Sequence, residues 1–153
     1  MGQRRKKVLA IASGGGHWVQ LLRLRPAFED CHVSYGTVHH ASIADIAGTG
    51  AAFYCFRDAS RKDWWRFFGS VIDIGGIVAR VRPDVVVTTG AMPALAAIVL
   101  GRLGGAKTLW IDSVANSEEL SSSGRLAVRL AHRVVTQWPD LATSETPHWG
   151  SVL

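Results

Sequence analysis

The chain has only two cysteines, Cys31 and Cys55, and little charge for its length: 19% of its 153 residues are Asp, Glu, Lys or Arg. Two widely spaced thiols match neither a zinc-ligand spacing nor a redox pair. They exclude a disulfide scaffold and read as buried thiols of a reducing compartment, the cytoplasm. No apolar run approaches the ~20 residues that span a bilayer, because the most apolar stretches are broken by Asp73, Arg80 and Arg102. The start, MGQRRKK, imitates a signal peptide, but only VLAIA follows before glycines intervene. It reads as a basic arm over residues 1–6 ahead of a first strand. Repeats, linkers and low-complexity tracts are also lacking. What remains is a single domain over residues 1–153, long enough for one core and too short for two.

What is present is alternation. KVLAIA (7–12), HVSYGTV (32–38), AAFYCF (51–56), DVVVTT (84–89), KTLWID (107–112) and RVVTQW (133–138) have the β-branched, aliphatic character of strands. Between them HWVQLLRLRPAF, a weaker SIADIAG, a long RKDWWRFFGSVIDIGGIVARVRP closed by Pro83, PALAAIVLGRLGG and GRLAVRLAHR read as helices. A β-α-β-α order predicts an α/β, Rossmann-like, doubly wound parallel sheet with function in the loops after the strands.

Three of those loops stand out: SGGGH, TGAMP and DSVANSEELSSSG. In the first, Ser13, Gly14, Gly15 and Gly16 turn from a strand into a helix, a place where main-chain N–H groups meet a phosphate or diphosphate. The dinucleotide fingerprint fails, since Val19 stands where glycine or alanine belongs, and no Lys-Ser/Thr pair makes a P-loop. His17 can donate to a phosphate, act as a base or close the turn; a helix N-terminus disfavours its protonated form, which helps a base. Gly90 and Ala91, ahead of Pro93, repeat the design and offer a second anion or sugar site. Asp112, Asn116 and Glu118 share one loop, where a carboxylate can orient a hydroxyl, take its proton, or join Ser123 in capping backbone.

Several features have plainer readings. His39 and His40 lack a third ligand nearby in sequence, so no metal is expected. Arg125, Arg129 and Arg133 are spaced as a solvated helix stripe. On the long helix, Arg66, Asp73 and Arg80 share a narrow face, leaving a wide apolar arc. Trp64, Trp65, Phe67 and Phe68, flanked by Arg61, Lys62 and Arg66, suit either core burial or a membrane interface with anionic headgroups. The net charge of +5 and pI near 9.8 call for an acidic partner. No aromatic-basic pattern marks nucleic acid.

SGGGHWVQLLRL, the stretch from TTGAMPALAAI through IDSVANSEELSSSGRL to VVTQWPDLA, and the closing GSVL resemble the acceptor-side subunit of bipartite UDP-sugar glycosyltransferases. These are the ALG-type proteins of lipid-linked oligosaccharide assembly and their bacterial exopolysaccharide counterparts. That resemblance implies the N-terminal half of a GT-B enzyme. A small C-terminal-half partner would bind the UDP-sugar, so this chain holds no tight cofactor and shares the donor with that partner. The acceptor would be a polyprenyl-diphosphate-linked sugar, beside Gly14 to His17, with Gly90 and Ala91 as the second loop and Asp112, Ser113 and Asn116 facing the cleft. His17 is the expected base and Asp112 the alternative, for transfer of an N-acetylglucosamine, glucose or galactose type of sugar. Eukaryotic members carry an N-terminal membrane helix. With MGQRRKK in its place, attachment to the inner face of the cytoplasmic membrane is expected to be peripheral. The rival expectation is a non-catalytic scaffold that recruits a catalytic partner and presents the lipid.

Overall fold

The computed structural model describes residues 4–59 and 62–152. Residues 1–3 of the basic arm, Arg61 beside the aromatic cluster, and Leu153 of the closing motif lie outside the described residues.

Six parallel strands form one sheet in the order β3-β2-β1-β4-β5-β6. They are β1 (Lys7–Ile11), β2 (His32–Thr37), β3 (Ala52–Cys55), β4 (Val85–Thr88), β5 (Lys107–Ile111) and β6 (Arg133–Val135). The four helices are α1 (Gly16–Arg23), α2 (Trp64–Val81), α3 (Met92–Leu103) and α4 (Ser122–Leu130). Every strand pair is parallel, with Val8 opposite both Val33 and Val85 in the centre. This is the doubly wound arrangement that the alternation of elements predicts.

Side-chain alternation along the strands divides the core. Leu9, Ile11, Val86, Trp110 and Val134 face Ile74, Ile77, Ala97, Ile98 and Ala127 of α2, α3 and α4. Val8, Ala10, Val87, Ile111 and Val135 face the other way, in one cluster with Trp18 and Leu21 of α1. β1 is buried on both faces, which is why its sequence shows no polar alternation.

Some boundaries differ from the sequence expectation. The helix expected over HWVQLLRLRPAF stops at Arg23 and becomes a 3-10 turn over Arg25–Phe28; Pro26 brings no N–H and keeps the residue before it from continuing an α-helix. Of SIADIAG, only SIADI lies in a 3-10 turn, over His40–Ile46. β6 ends at Val135, level with Ile111 at the end of its partner β5, and the next residue, Thr136, bridges His148 of the returning tail. Arg133 thereby belongs to a strand, and the expected three-arginine helical stripe ends at Arg129. The two cysteines are free but half-buried rather than buried, and desolvation raises the Cys55 thiol above its ordinary range. No helix of the described residues is long and apolar enough to cross a membrane.

Candidate functional site

β1 and β4 are neighbours, yet the chain leaves β1 toward β2 and leaves β4 toward β5 on the other side. The loops after these strands therefore border the switch-point crevice, where open α/β sheets place their ligands. They are Ser13–Gly16 and Thr89–Ala91, the two glycine loops singled out in the sequence.

His17 joins them. It stands in the first turn of α1, half-buried. Its Nδ1 lies 2.9 Å from the Thr89 carbonyl oxygen, and the Thr89 hydroxyl donates to the His17 carbonyl at 2.6 Å. A carbonyl can only accept, so Nδ1 is the N–H of this contact, and whenever the ring is neutral Nε2 is the acceptor. That is the electronic form a general base needs.

The glycines serve different ends. Gly90 takes φ 124°, and a Cβ there would stand 2.9 Å from His17 Cε1, so its missing side chain makes room for the imidazole. Ala91 follows at φ 76°, ψ 152°, a region almost confined to glycine that costs ~1–3 kcal/mol where a side chain is present. Gly14 is packed under the ring of His39, which occupies the space of a Cβ. Sequence reading assigned His39 no part here; the fold brings it to this loop. Gly15 caps α1 with φ 66°, while Gly16 opens onto free space.

Helix starts differ in the same way. Asp63 caps α2 by accepting from the Arg66 N–H, and Ser121 caps α4 by accepting from the Gly124 N–H. α1 and α3, which begin at the crevice, have no side-chain cap. The first N–H groups of α1 have no helical partner, whereas in α3 Pro93 brings no N–H and the Ala94 N–H donates to the Ala91 carbonyl, so α3 contributes chiefly its dipole; both helix dipoles point their positive ends into the crevice.

Asp112 has a different part from the one expected of an alternative base. It is 2% exposed. Its Oδ1 accepts from Trp110 Nε1 and from the Ser121 hydroxyl at 2.6 Å, and its Oδ2 accepts from the Ser121 main-chain N–H and Asn116 Nδ2. Four donors occupy the carboxylate, so it folds the loop 113–121 instead of facing a ligand. Ser113 is likewise engaged: its hydroxyl accepts from Gln20 Nε2 and from the Ala115 N–H. Asn116 is half-buried and spends its amide N–H on Asp112. Glu118 is exposed, and Ser121 rather than Ser123 caps the following helix.

Beneath this loop lies a buried amide pair that sequence reading missed. Gln137 Nε2 donates to Gln20 Oε1 at 2.7 Å and to the Asp112 carbonyl. Gln20 also accepts from the Val114 N–H and donates to the Gly16 carbonyl. Gln137 Oε1 accepts from the Val152 N–H, and Arg23 donates to the Val152 carbonyl. The tail is thus fastened to the helix that carries His17. A lone glutamine within an apolar helical pattern was the available signal.

The aromatic cluster is split by the fold. α2 runs antiparallel to the strands, so its first turns lie at the crevice end of the sheet. Trp64, Trp65 and Phe68 are 73%, 86% and 54% exposed, and Ile72 continues the patch. Trp64 and Phe68 stack on one another. Phe67 is half-buried and does not belong to the exposed face. Ahead of this helix, Arg57 binds Asp73 through Nε and Nη2, both at 2.8 Å; that guanidinium draws the Asp73 carboxyl below the ordinary carboxylate range. Arg4, in the basic arm, is paired with Asp84 at 2.7 Å. An open cleft of about 730 Å³, lined by Arg25, Cys31, Val33 and Tyr35 among others, lies toward the opposite end of the strands. Among the described residues, no group of three His, Cys, Asp or Glu could hold a metal ion.

The fold and the crevice define a fold class: a Rossmann-like domain built like one half of a GT-B fold. MurG of Acinetobacter baumannii superposes with a TM-score of 0.76 over 97% of this chain at 15% identity, and the chain spans 46% of that structure. A UDP-N-acetylglucosamine 2-epimerase of Rickettsia bellii gives 0.69 over 97% of the chain and 46% of its own length, at 11% identity. No established family profile matches the chain. In sequence it is 34% identical over 169 aligned positions to the mouse UDP-N-acetylglucosamine transferase subunit ALG14, covering 88% of this chain and 76% of that protein. The rat counterpart is 26% identical with the same coverage. The chain belongs to the ALG14 family of UDP-N-acetylglucosamine transferase subunits.

Proposed function

We propose that this chain is the acceptor-side subunit of a two-component glycosyltransferase, working on a polyprenyl-diphosphate-linked sugar while a separate chain holds the UDP-sugar. The observation that carries the reading is His17: a histidine whose Nδ1 is committed to a carbonyl, leaving Nε2 as a bare acceptor between two uncapped helix N-termini. Unpaired N–H groups and positive dipole ends suit a diphosphate. A bare imidazole nitrogen suits the hydroxyl next to it.

In the proposed step His17 Nε2 takes the proton of an acceptor hydroxyl. That oxygen forms a bond to the anomeric carbon of the donor from the face opposite UDP, and the bond from that carbon to the UDP oxygen breaks with inversion. UDP leaves with the electron pair, held by groups of the partner chain. The relatives, subunits of a UDP-N-acetylglucosamine transferase, favour N-acetylglucosamine as the sugar. Trp64, Trp65, Phe68 and Ile72, with Lys62 and Arg66 exposed beside them, form the surface by which the subunit rests on the anionic inner face of the cytoplasmic membrane, close to a lipid-linked acceptor. Asp112, Ser113 and Asn116 shape the crevice wall.

The test is His17→Ala in the pair reconstituted from both chains, with a polyprenyl-diphosphate sugar as acceptor. Transfer is expected to be lost while the two chains still assemble. Near-wild-type turnover overturns the assignment and leaves the chain as a recruiting scaffold for chemistry done wholly by its partner.

A further inference from the structure

We propose that Thr89 is the positioning residue of His17, gripping it at both ends so that the imidazole keeps one tautomer and one orientation. The inference rests on the reading of His17 as base. A base works in proportion to how firmly a third group orients it, and carboxylates commonly take that part. Here Asp112, the buried carboxylate of the crevice loops, is spent on Trp110, Asn116 and Ser121. The ring's described partner is instead the main-chain oxygen of Thr89.

A carbonyl alone fixes the tautomer only while the loop that carries it stays in register with α1. The Thr89 side chain supplies that register. It is fully buried, and its hydroxyl donates at 2.6 Å to the carbonyl of His17 itself. One residue therefore accepts from the ring and donates to the backbone of the same histidine. The β-branched side chain has few χ1 choices, which aims the hydroxyl. Next to it, Thr88 accepts from the Gly90 N–H and so shapes the turn beneath the ring. The adjoining residues Gly90 and Ala91, both at positive φ, place the loop against the imidazole and leave it little room to turn.

The full-length chain labelled with 15N-histidine tests this directly, through long-range proton–nitrogen spectra of the ring. In the wild type, His17 is expected to show an N–H nitrogen at Nδ1 and a bare nitrogen at Nε2. Thr89→Val keeps the shape and removes the hydroxyl; it is expected to move His17 toward the tautomer mixture of a free imidazole. Thr89→Ser restores the hydroxyl and is expected to keep the wild-type signature. A wild-type ring protonated at Nε2, or a Thr89→Val spectrum identical to the wild type, overturns the proposal.

In the reconstituted pair, Thr89→Val is expected to lower kcat about ten- to a hundredfold, the scale of a small misplacement of a reacting group. The acceptor KM is expected to stay unchanged and Thr89→Ser to recover most of the loss. A loss carried by KM alone, or equal in both variants, also overturns it. Because the spectra read the ring without turnover, an active His17→Ala enzyme would sink the base while leaving the Thr89 result to stand or fall by itself.

Discussion

Asp112 and Ser121 are joined twice: the serine hydroxyl donates to one carboxylate oxygen at 2.6 Å and its main-chain N–H to the other at 2.9 Å. The same hydroxyl accepts from the Gly124 N–H, so the pair closes the loop 113–121 and starts α4 in one stroke. A side chain that looks catalytic in the sequence is thus the fastening of the crevice wall.

Replacing Asp112 with alanine leaves the buried Trp110 N–H and the Ser121 groups without their acceptor. Buried donors stripped of a charged partner typically cost ~2–4 kcal/mol in total. The urea midpoint is expected to fall accordingly, with transfer declining in step with the folded fraction. A stable but inactive Asp112→Ala protein would return this carboxylate to the chemistry.

Three of the four glycines that border the crevice separate packing from ligand space. Gly90→Ala places a methyl 2.9 Å from the His17 ring at a φ of 124°, so it is expected to cost stability, ~1 kcal/mol or more, and to slow transfer. Gly14→Ala collides with the ring of His39 and is expected to destabilise as well. Gly16→Ala meets nothing within 4 Å and stands in a helix, where alanine is favoured by up to ~1 kcal/mol. Its stability is expected to hold or rise, while its acceptor KM rises because the methyl enters the space proposed for the diphosphate. Unchanged kinetics in Gly16→Ala would place the diphosphate elsewhere.

Much of this was legible in the sequence because the signals are local. Apolar runs such as KVLAI and VVVT, separated by helical patterns, specify a parallel sheet, and glycines after the first and fourth strands mark its switch point. What was hidden depends on contacts between distant segments. Gln20 and Gln137 pair across the fold, His39 comes to Gly14 from the loop after β2, and Thr89 reaches His17 from the loop after β4. Adjacency in sequence also overstated the aromatic cluster: Phe67 and Phe68 are neighbours in the chain, but the helix turns them ~100° apart, one half-buried and one exposed.

That division makes the membrane reading testable with the fold intact. Trp64, Trp65, Phe68 and Ile72 are all more than half exposed, so replacing them together with serine is expected to leave the thermal midpoint nearly unchanged, as surface substitutions do. Binding to vesicles rich in phosphatidylglycerol, measured by co-sedimentation, is expected to be lost. Retained binding would assign the patch to a protein partner. Phe67→Ser is the contrasting variant: being half-buried, it is expected to lower the midpoint.

Acid exposes the Arg57–Asp73 pair. The folded Asp73 carboxyl is held below its ordinary pKa, first by the side-chain hydrogen bonds from Arg57 and also by the Arg57 main-chain N–H. An unfolded aspartate titrates near ~3.9. Between the two values the unfolded chain binds a proton that the folded chain does not, so stability rises with pH across that window. The contribution is full above the unfolded pKa and lost as pH falls through the folded one. Asp84, lowered in the same direction by the Lys7 N–H and by Arg4, adds a slope of the same sign. Asp73→Asn is therefore expected to flatten the fall of the urea midpoint in acid without removing it, since Asp84 remains. Parallel pH curves for the wild type and Asp73→Asn would mean that the pair contributes nothing to the joint between β3 and the aromatic helix.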